Sequence, residues 1–133
     1  MTVSKSETIA VTSSDDVVRV RQTVRVWAAN LGFGLVDQTK IVTATSELAR
    51  NMVLAAGSGM VVLEVLQTMR VGLRLTFEDQ GPGIADIEKV MQDGYTTWGG
   101  MGLGLSGSKR LMDEFEIYSE VGVGTQVRIT KWK

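Results

Sequence analysis

The hydrophobic period changes near Gly57, and that change calls for helices and strands in one fold. Before it, Val17, Val20, Val24, Trp27, Ala28 and Leu31 recur at spacings of three and four, which predicts an amphipathic helix closed by Gly32. Ser13 or Ser14 offers its N-cap, with Asp15 and Asp16 placed for the first turn. Ile41, Ala44, Leu48, Met52 and Ala55 mark a second helix, capped by Asp37 and ending at Gly57. After Gly57 the period is two. Met60 to Gln67 and Val71 to Glu78 read as a hairpin around Thr68-Met69-Arg70. In its second strand Val71, Leu73, Leu75 and Phe77 face one way, and Arg74, Thr76 and Glu78 the other.

The remaining elements are a short strand from Glu7 to Thr12, a short helix from Ala85 to Gln92 and a helix from Leu103 to Glu114. Two strands, Glu116 to Glu120 and Thr125 to Trp132, close the chain around Gly122-Val123-Gly124. This order predicts an α/β two-layer sandwich, with helices on one face of a mixed, mostly antiparallel sheet. At 133 residues, 44% of them hydrophobic, the chain reads as a single domain, residues 1–133, with one core.

Charge and composition exclude several functions. Fourteen basic against fifteen acidic residues argue against a partner held by accumulated positive charge, so neither nucleic acid nor anionic membrane is expected. The absence of cysteine and histidine removes disulfides, thiolate and imidazole metal ligands, His-dependent nucleophiles and phosphohistidine. Met1 to Ser6 has no apolar signal core, and the uncharged stretch from Asn51 to Leu63 is too short to span a bilayer. A cytoplasmic protein is expected.

Four constellations carry chemistry. Glu47 and Asn51, at i and i+4 on the second helix, could supply a general base and an oxygen ligand for Mg²⁺. The same spacing fits an exposed helix face on which Glu47 pairs with Arg50. Asp79-Gln80-Gly81-Pro82-Gly83 follows an apolar strand; its carboxylate could accept from a base amino group, and it also reads as an ordinary turn. Eight of the 15 glycines fall between Gly81 and Gly107, and Gly99-Gly100-Met101-Gly102-Leu103-Gly104 runs into a helix, where freed N–H groups attract anions. It matches neither a P-loop nor a Rossmann turn. Gly122-Val123-Gly124-Thr125 is, by itself, a hairpin turn.

Together, the four resemble the GHKL (Bergerat) family of ATP-binding domains, with its E-x-x-x-N box, D-x-G-x-G box, glycine-rich lid and late G-T. Within that family, Ser46 to Asn51, Glu78 to Ile84 and Lys109 to Phe115 are similar to the serine/threonine kinases of the anti-sigma and stressosome type. The resemblance implies ATP and Mg²⁺ as cofactors. It implies that Asn51 ligates the Mg²⁺, Glu47 orients and deprotonates the attacking hydroxyl, and Asp79 accepts from the adenine amino group. Gly81 belongs to the same box, Gly83 lies beside the ring, and Thr125 supports the base through a water. Gly100, Gly102 and Gly104 cradle the phosphates, and Lys109 adds charge near them or is simply solvated. Arg50 either pairs with Glu47 or meets phosphate or partner; Trp98 packs over nucleotide, meets a partner or anchors its loop.

Ser106 stands where the stressosome branch has proline at its lid-to-helix segment, which implies a looser empty lid. The segment after Asn51 lacks the histidine of many sporulation-type anti-sigma kinases, which favours the stressosome branch. The activity implied is an ATP-dependent protein serine/threonine kinase acting on STAS-domain antagonists in partner switching, and then activating a PP2C-type phosphatase. Its protein substrate is expected to dock near the lid, from Asp93 to Gly102, against Tyr95 and Trp98. The alternative is an anti-sigma factor, a sigma-sequestering module with ATP as a structural ligand.

Overall fold

The computed structural model describes residues 2–92 and 104–133. In chain order the elements are β1 (Thr2–Val11), α1 (Ser14–Asn30), α2 (Leu35–Ala56), β2 (Gly59–Gln67), β3 (Val71–Asp79), α3 (Ile87–Val90), α4 (Gly104–Leu111), β4 (Glu114–Glu120) and β5 (Gly124–Trp132). The strands form one sheet in the order β1-β2-β3-β5-β4. Every ladder is antiparallel, so the parallel pairing of the expected mixed sheet is absent among the described residues.

Alternation along the strands explains the two layers. The register aligns Ile9, Val61, Phe77, Val127 and Ile117 in one row across the sheet. The neighbouring row on that face holds Leu63, Leu75, Ile129 and Phe115. These rows are buried, apart from partly exposed Ile117 and Phe115 that pack against the same core. The other face carries Glu64 and Arg74, an ion pair at 3.0 Å, and Arg128, whose Nε donates to Thr76 Oγ1 at 3.4 Å. Only one face is apolar, and the helices cover that one.

Helix α1 buries Val20, Val24, Trp27 and Ala28, as the spacing predicts. Valines are poor helix formers, so this packing holds α1 in shape. Helix α2 packs against α1, α4 and β3 and buries a broad stripe including Ile41, Ala44, Leu48 and Met52. It ends at Gly57 in the left-handed region, as predicted, but Gly34 rather than Asp37 occupies its N-cap position. Ser13 occupies the N-cap of α1 without a side-chain cap bond; Asp16 accepts instead from the Thr12 backbone N–H at 2.8 Å. The predicted helix to Glu114 stops at Leu111, because Asp113 N–H donates to Thr130 O and its carboxylate accepts from Trp132 N–H, which starts the ladder of β4.

Candidate functional site

The end of β3 sets the site. Register pairs Asp79 with Thr125, which brings the late G-T against the D-x-G-x-G box. Asp79 Oδ1 accepts the Gly81 N–H at 2.9 Å, folding the chain into an Asx turn and leaving its second oxygen available. Gly81 lies against Ala56 of α2, where a Cβ would come within 2.6 Å of that methyl group. Gly83 has φ +77, and its missing Cβ would sit 2.3 Å from Glu120 O. No L side chain fits there. Gly124, at φ +150, lies so close to the Asp79 carbonyl that a Cβ would reach 2.0 Å from its oxygen.

These pieces wall a cavity with about 550 Å³ of free space, its open mouth included. Leu48, Asn51, Met52 and Ala55 line it from α2, and Phe77 and Asp79 from β3. Gly83 and Ile84, Leu105 of α4, and Thr125 and Val127 of β5 complete it. An apolar slot with a carboxylate at one end suits a flat heterocycle bearing an amino group. Asn51 is only 9% exposed, and its Nδ2 has no partner. A buried donor left without a partner costs roughly 1–3 kcal/mol, which marks this wall as one that the fold does not satisfy by itself. Among the described residues no cluster of three or more His, Cys, Asp or Glu could hold a metal. A single amide oxygen fits Mg²⁺, which keeps most of its shell for water and phosphate.

Glu47 lies one helical turn before Asn51 on α2, as the i, i+4 spacing requires, but borders a different hollow. It lines a groove between α1 and α2 rather than the cavity of Asn51. Its side chain is 11% exposed, and Oε1 meets Arg50 at 3.5 Å and the Gly104 N–H at 3.3 Å. The expected Glu47–Arg50 pair and a link to the start of α4 therefore coexist. Gly104, at φ +68, is buried where α4 begins. Ser106 is buried in the first turn of that helix, while Lys109 is exposed and lines neither cavity. Gly100, Gly102, Tyr95 and Trp98 lie outside the described residues.

Ser119 escaped the sequence reading. Its Oγ donates to Gly124 O at 3.1 Å, accepts the Ile84 N–H at 2.7 Å and lies 2.8 Å from Thr125 Oγ1. It joins the loop that holds Gly83 to the start of β5, which holds Thr125. The signal was positional: Ser119 pairs with Thr125 across the β4–β5 hairpin, which a register assigned from Gly122 would have exposed.

Comparison with known proteins agrees with this geometry. Residues 36–133 match the family model for the histidine kinase-, DNA gyrase B- and HSP90-like ATPase. The chain is 54% identical over 118 residues to the serine/threonine-protein kinase RsbT of Bacillus subtilis, covering 88% of this chain and 89% of that one. It is 34% identical over 117 residues to an anti-sigma F factor of Thermoanaerobacter, covering 84% and 82%. Among solved structures, a Mycobacterium tuberculosis protein with RsbU and RsbW domains superposes with a TM-score of 0.68 at 20% identity, covering 96% of this chain and 32% of that one. The mycobacterial sensor histidine kinase MprB does so at 0.57 and 19%, covering 96% and 97%. The chain belongs to the histidine kinase-, DNA gyrase B- and HSP90-like ATPase family, the GHKL fold.

Proposed function

We propose that this chain is an ATP- and Mg²⁺-dependent protein serine/threonine kinase of a partner-switching module, carried on one domain of residues 1–133. The observation that carries the reading is the division of α2. Asn51, with its buried Nδ2 unpaired, lines the cavity that holds Asp79 and Thr125, while Glu47, one turn before it, lines the neighbouring groove instead. Phosphoryl transfer needs that division: one wall positions the nucleotide, and a base outside it receives the acceptor hydroxyl. Asp79 accepts from the adenine amino group, Gly83 lies beside the ring, and Thr125 supports the base through a water. The Asn51 side-chain oxygen would hold the Mg²⁺, which neutralises charge on the transferred phosphate. The lid glycines Gly100, Gly102 and Gly104 would cradle the phosphates. Glu47 takes the proton from the acceptor oxygen.

The similarity to RsbT over most of both chains supports the kinase class. The substrates in this reading are STAS-domain antagonists, and the released kinase activates a PP2C-type phosphatase. Among the described residues no helix is long and apolar enough to cross a membrane, which is in keeping with a cytoplasmic module. A second reading, a sigma-sequestering anti-sigma factor, is favoured by the similarity to anti-sigma F factors. Incubation with labelled ATP and a STAS-domain protein, followed by mass spectrometry, separates the two. Phosphoserine or phosphothreonine on the partner supports the kinase; stable capture of a sigma factor without such transfer supports the alternative.

A further inference from the structure

One amide proton has two claimants. The Gly104 N–H donates to Glu47 Oε1 at 3.3 Å, and the same glycine is one of those proposed to cradle the phosphates. Gly104 opens the eight-residue helix α4, whose first N–H groups have no partner within the helix and whose positive end favours an anion. Glu47 supplies that anion from α2. Its side chain is 11% exposed, and its contacts with Gly104 and Arg50 both fall on Oε1. One oxygen therefore pins the carboxylate toward α4.

The surroundings allow this bond to be given up while Gly104 stays in place. At 3.3 Å it is longer than the ~2.7–2.9 Å of a strong charge-assisted bond. The fully buried Ser108 hydroxyl donates to Gly104 O at 3.2 Å, which holds that peptide from inside the helix. Leu105, the next residue, is buried and lines the cavity of Asp79. Asn51 lines the same cavity, and its buried Nδ2 is a second donor in want of an acceptor. Gly104 thus links the nucleotide cavity to the groove that Glu47 borders.

We infer that the Gly104 N–H is a shared donor, held by Glu47 until a nucleotide phosphate claims it, so that the base is released only in the loaded protein. The inference rests on the kinase reading and names a regulation of the same site. A carboxylate and a phosphate cannot both close on one N–H, because like charges that near repel in a half-buried site. The phosphate carries more charge and more acceptor oxygens, so the carboxylate is the one that leaves. Released from α4, Glu47 turns to the acceptor hydroxyl. Proton removal is thereby tied to nucleotide loading.

Hydrogen exchange at the Gly104 amide of the ¹⁵N-labelled full chain tests this. Without nucleotide, exchange should be slower in wild type than in Glu47→Ala. At saturation with Mg²⁺ and a non-hydrolysable ATP analogue, the two rates should become equal. Adenosine, which fills the cavity without phosphate, should leave the difference as it was. Competition has a second trace that charge does not explain, since Glu47→Ala and Glu47→Gln are both neutral. The alanine variant, with no acceptor left, should bind the ATP analogue about threefold or more tightly than the glutamine variant, with equal adenosine affinity. A difference at Gly104 that survives saturation, its loss with adenosine alone, or equal analogue affinities in the two variants would each overturn the inference. No binding of the analogue would overturn both the inference and the kinase reading. The handover without phosphoserine or phosphothreonine on a STAS-domain partner would leave the inference standing and sink the kinase reading. Phosphotransfer by a chain whose Gly104 difference survives saturation would do the reverse.

Discussion

The backbone N–H of Gly104 donates to Glu47 Oε1 across 3.3 Å, joining the first residue of α4 to the middle of α2. The proposed base therefore also tethers the helix that follows the lid. Two substitutions separate these duties. Glu47→Gln keeps a side-chain oxygen for Gly104 but removes the base, and Glu47→Ala removes both. Each should lower phosphotransfer by roughly 10²–10⁴-fold. Only Glu47→Ala should speed hydrogen exchange at the Gly104 amide. Wild-type transfer by Glu47→Gln would place the base elsewhere.

Asp79 likewise has two duties, carried by different oxygens. Oδ1 closes the turn to Gly81, and the other oxygen faces the proposed adenine. Asp79→Asn can keep the first bond through its carbonyl oxygen while turning an NH₂ group toward the base. The melting temperature without nucleotide should change little, whereas the rise on adding Mg-ATP should disappear, since only the folded state binds ligand. Equal thermal shifts in wild type and variant would remove Asp79 from the adenine site.

The main features of the site were legible because they reside in local chemistry. Glu47 and Asn51 needed only a helix, and Asp79, Gly81 and Gly83 only a strand end followed by a turn. Their partners came from the register. Ser119 meets Ile84 and Thr125 through a hairpin pairing that no local pattern fixes. Asp37 resembles an N-cap in isolation, but in the fold it lies 3.8 Å from Lys131, a buried lysine that also meets Asp113 at 3.4 Å and donates to Leu111 O. Tertiary demand overrode local preference there. For the same reason β1 runs from Thr2 rather than Glu7: pairing with β2 supplies order that its exposed side chains do not.

Asp16 supplies a pH signature remote from the site. The Thr12 backbone N–H and hydroxyl, at 2.8 and 2.9 Å, hold its carboxyl below the ordinary value, and Arg19 adds to this. A lowered native pKa means that the ionised group's stabilising effect is present above the unfolded value. The effect is lost as pH falls through the native one. Urea midpoints of wild type and Asp16→Asn should therefore differ by a constant amount above about pH 5 and converge below about pH 4. A difference unchanged down to low pH would show that the contact does not depend on the charge.

Ser119 should matter to both stability and nucleotide binding, in separable ways. Its hydroxyl takes the Ile84 N–H, meets Thr125 Oγ1 and donates to the Gly124 carbonyl. Ser119→Ala leaves a backbone donor and a hydroxyl without this partner at a half-buried position. Such loss costs about 1–2 kcal/mol, visible as a lower urea midpoint without nucleotide. Ile84 and Thr125 both line the cavity, so the loop carrying Gly83 and the strand carrying Thr125 would lose their common tie. Mg-ATP affinity should fall with it. Ser119→Thr keeps the hydroxyl and should restore most of the affinity. If Ser119→Ala lowers stability while Mg-ATP affinity stays at the wild-type value, the hydroxyl holds the hairpin alone, and Thr125 is positioned by the β3–β5 ladder.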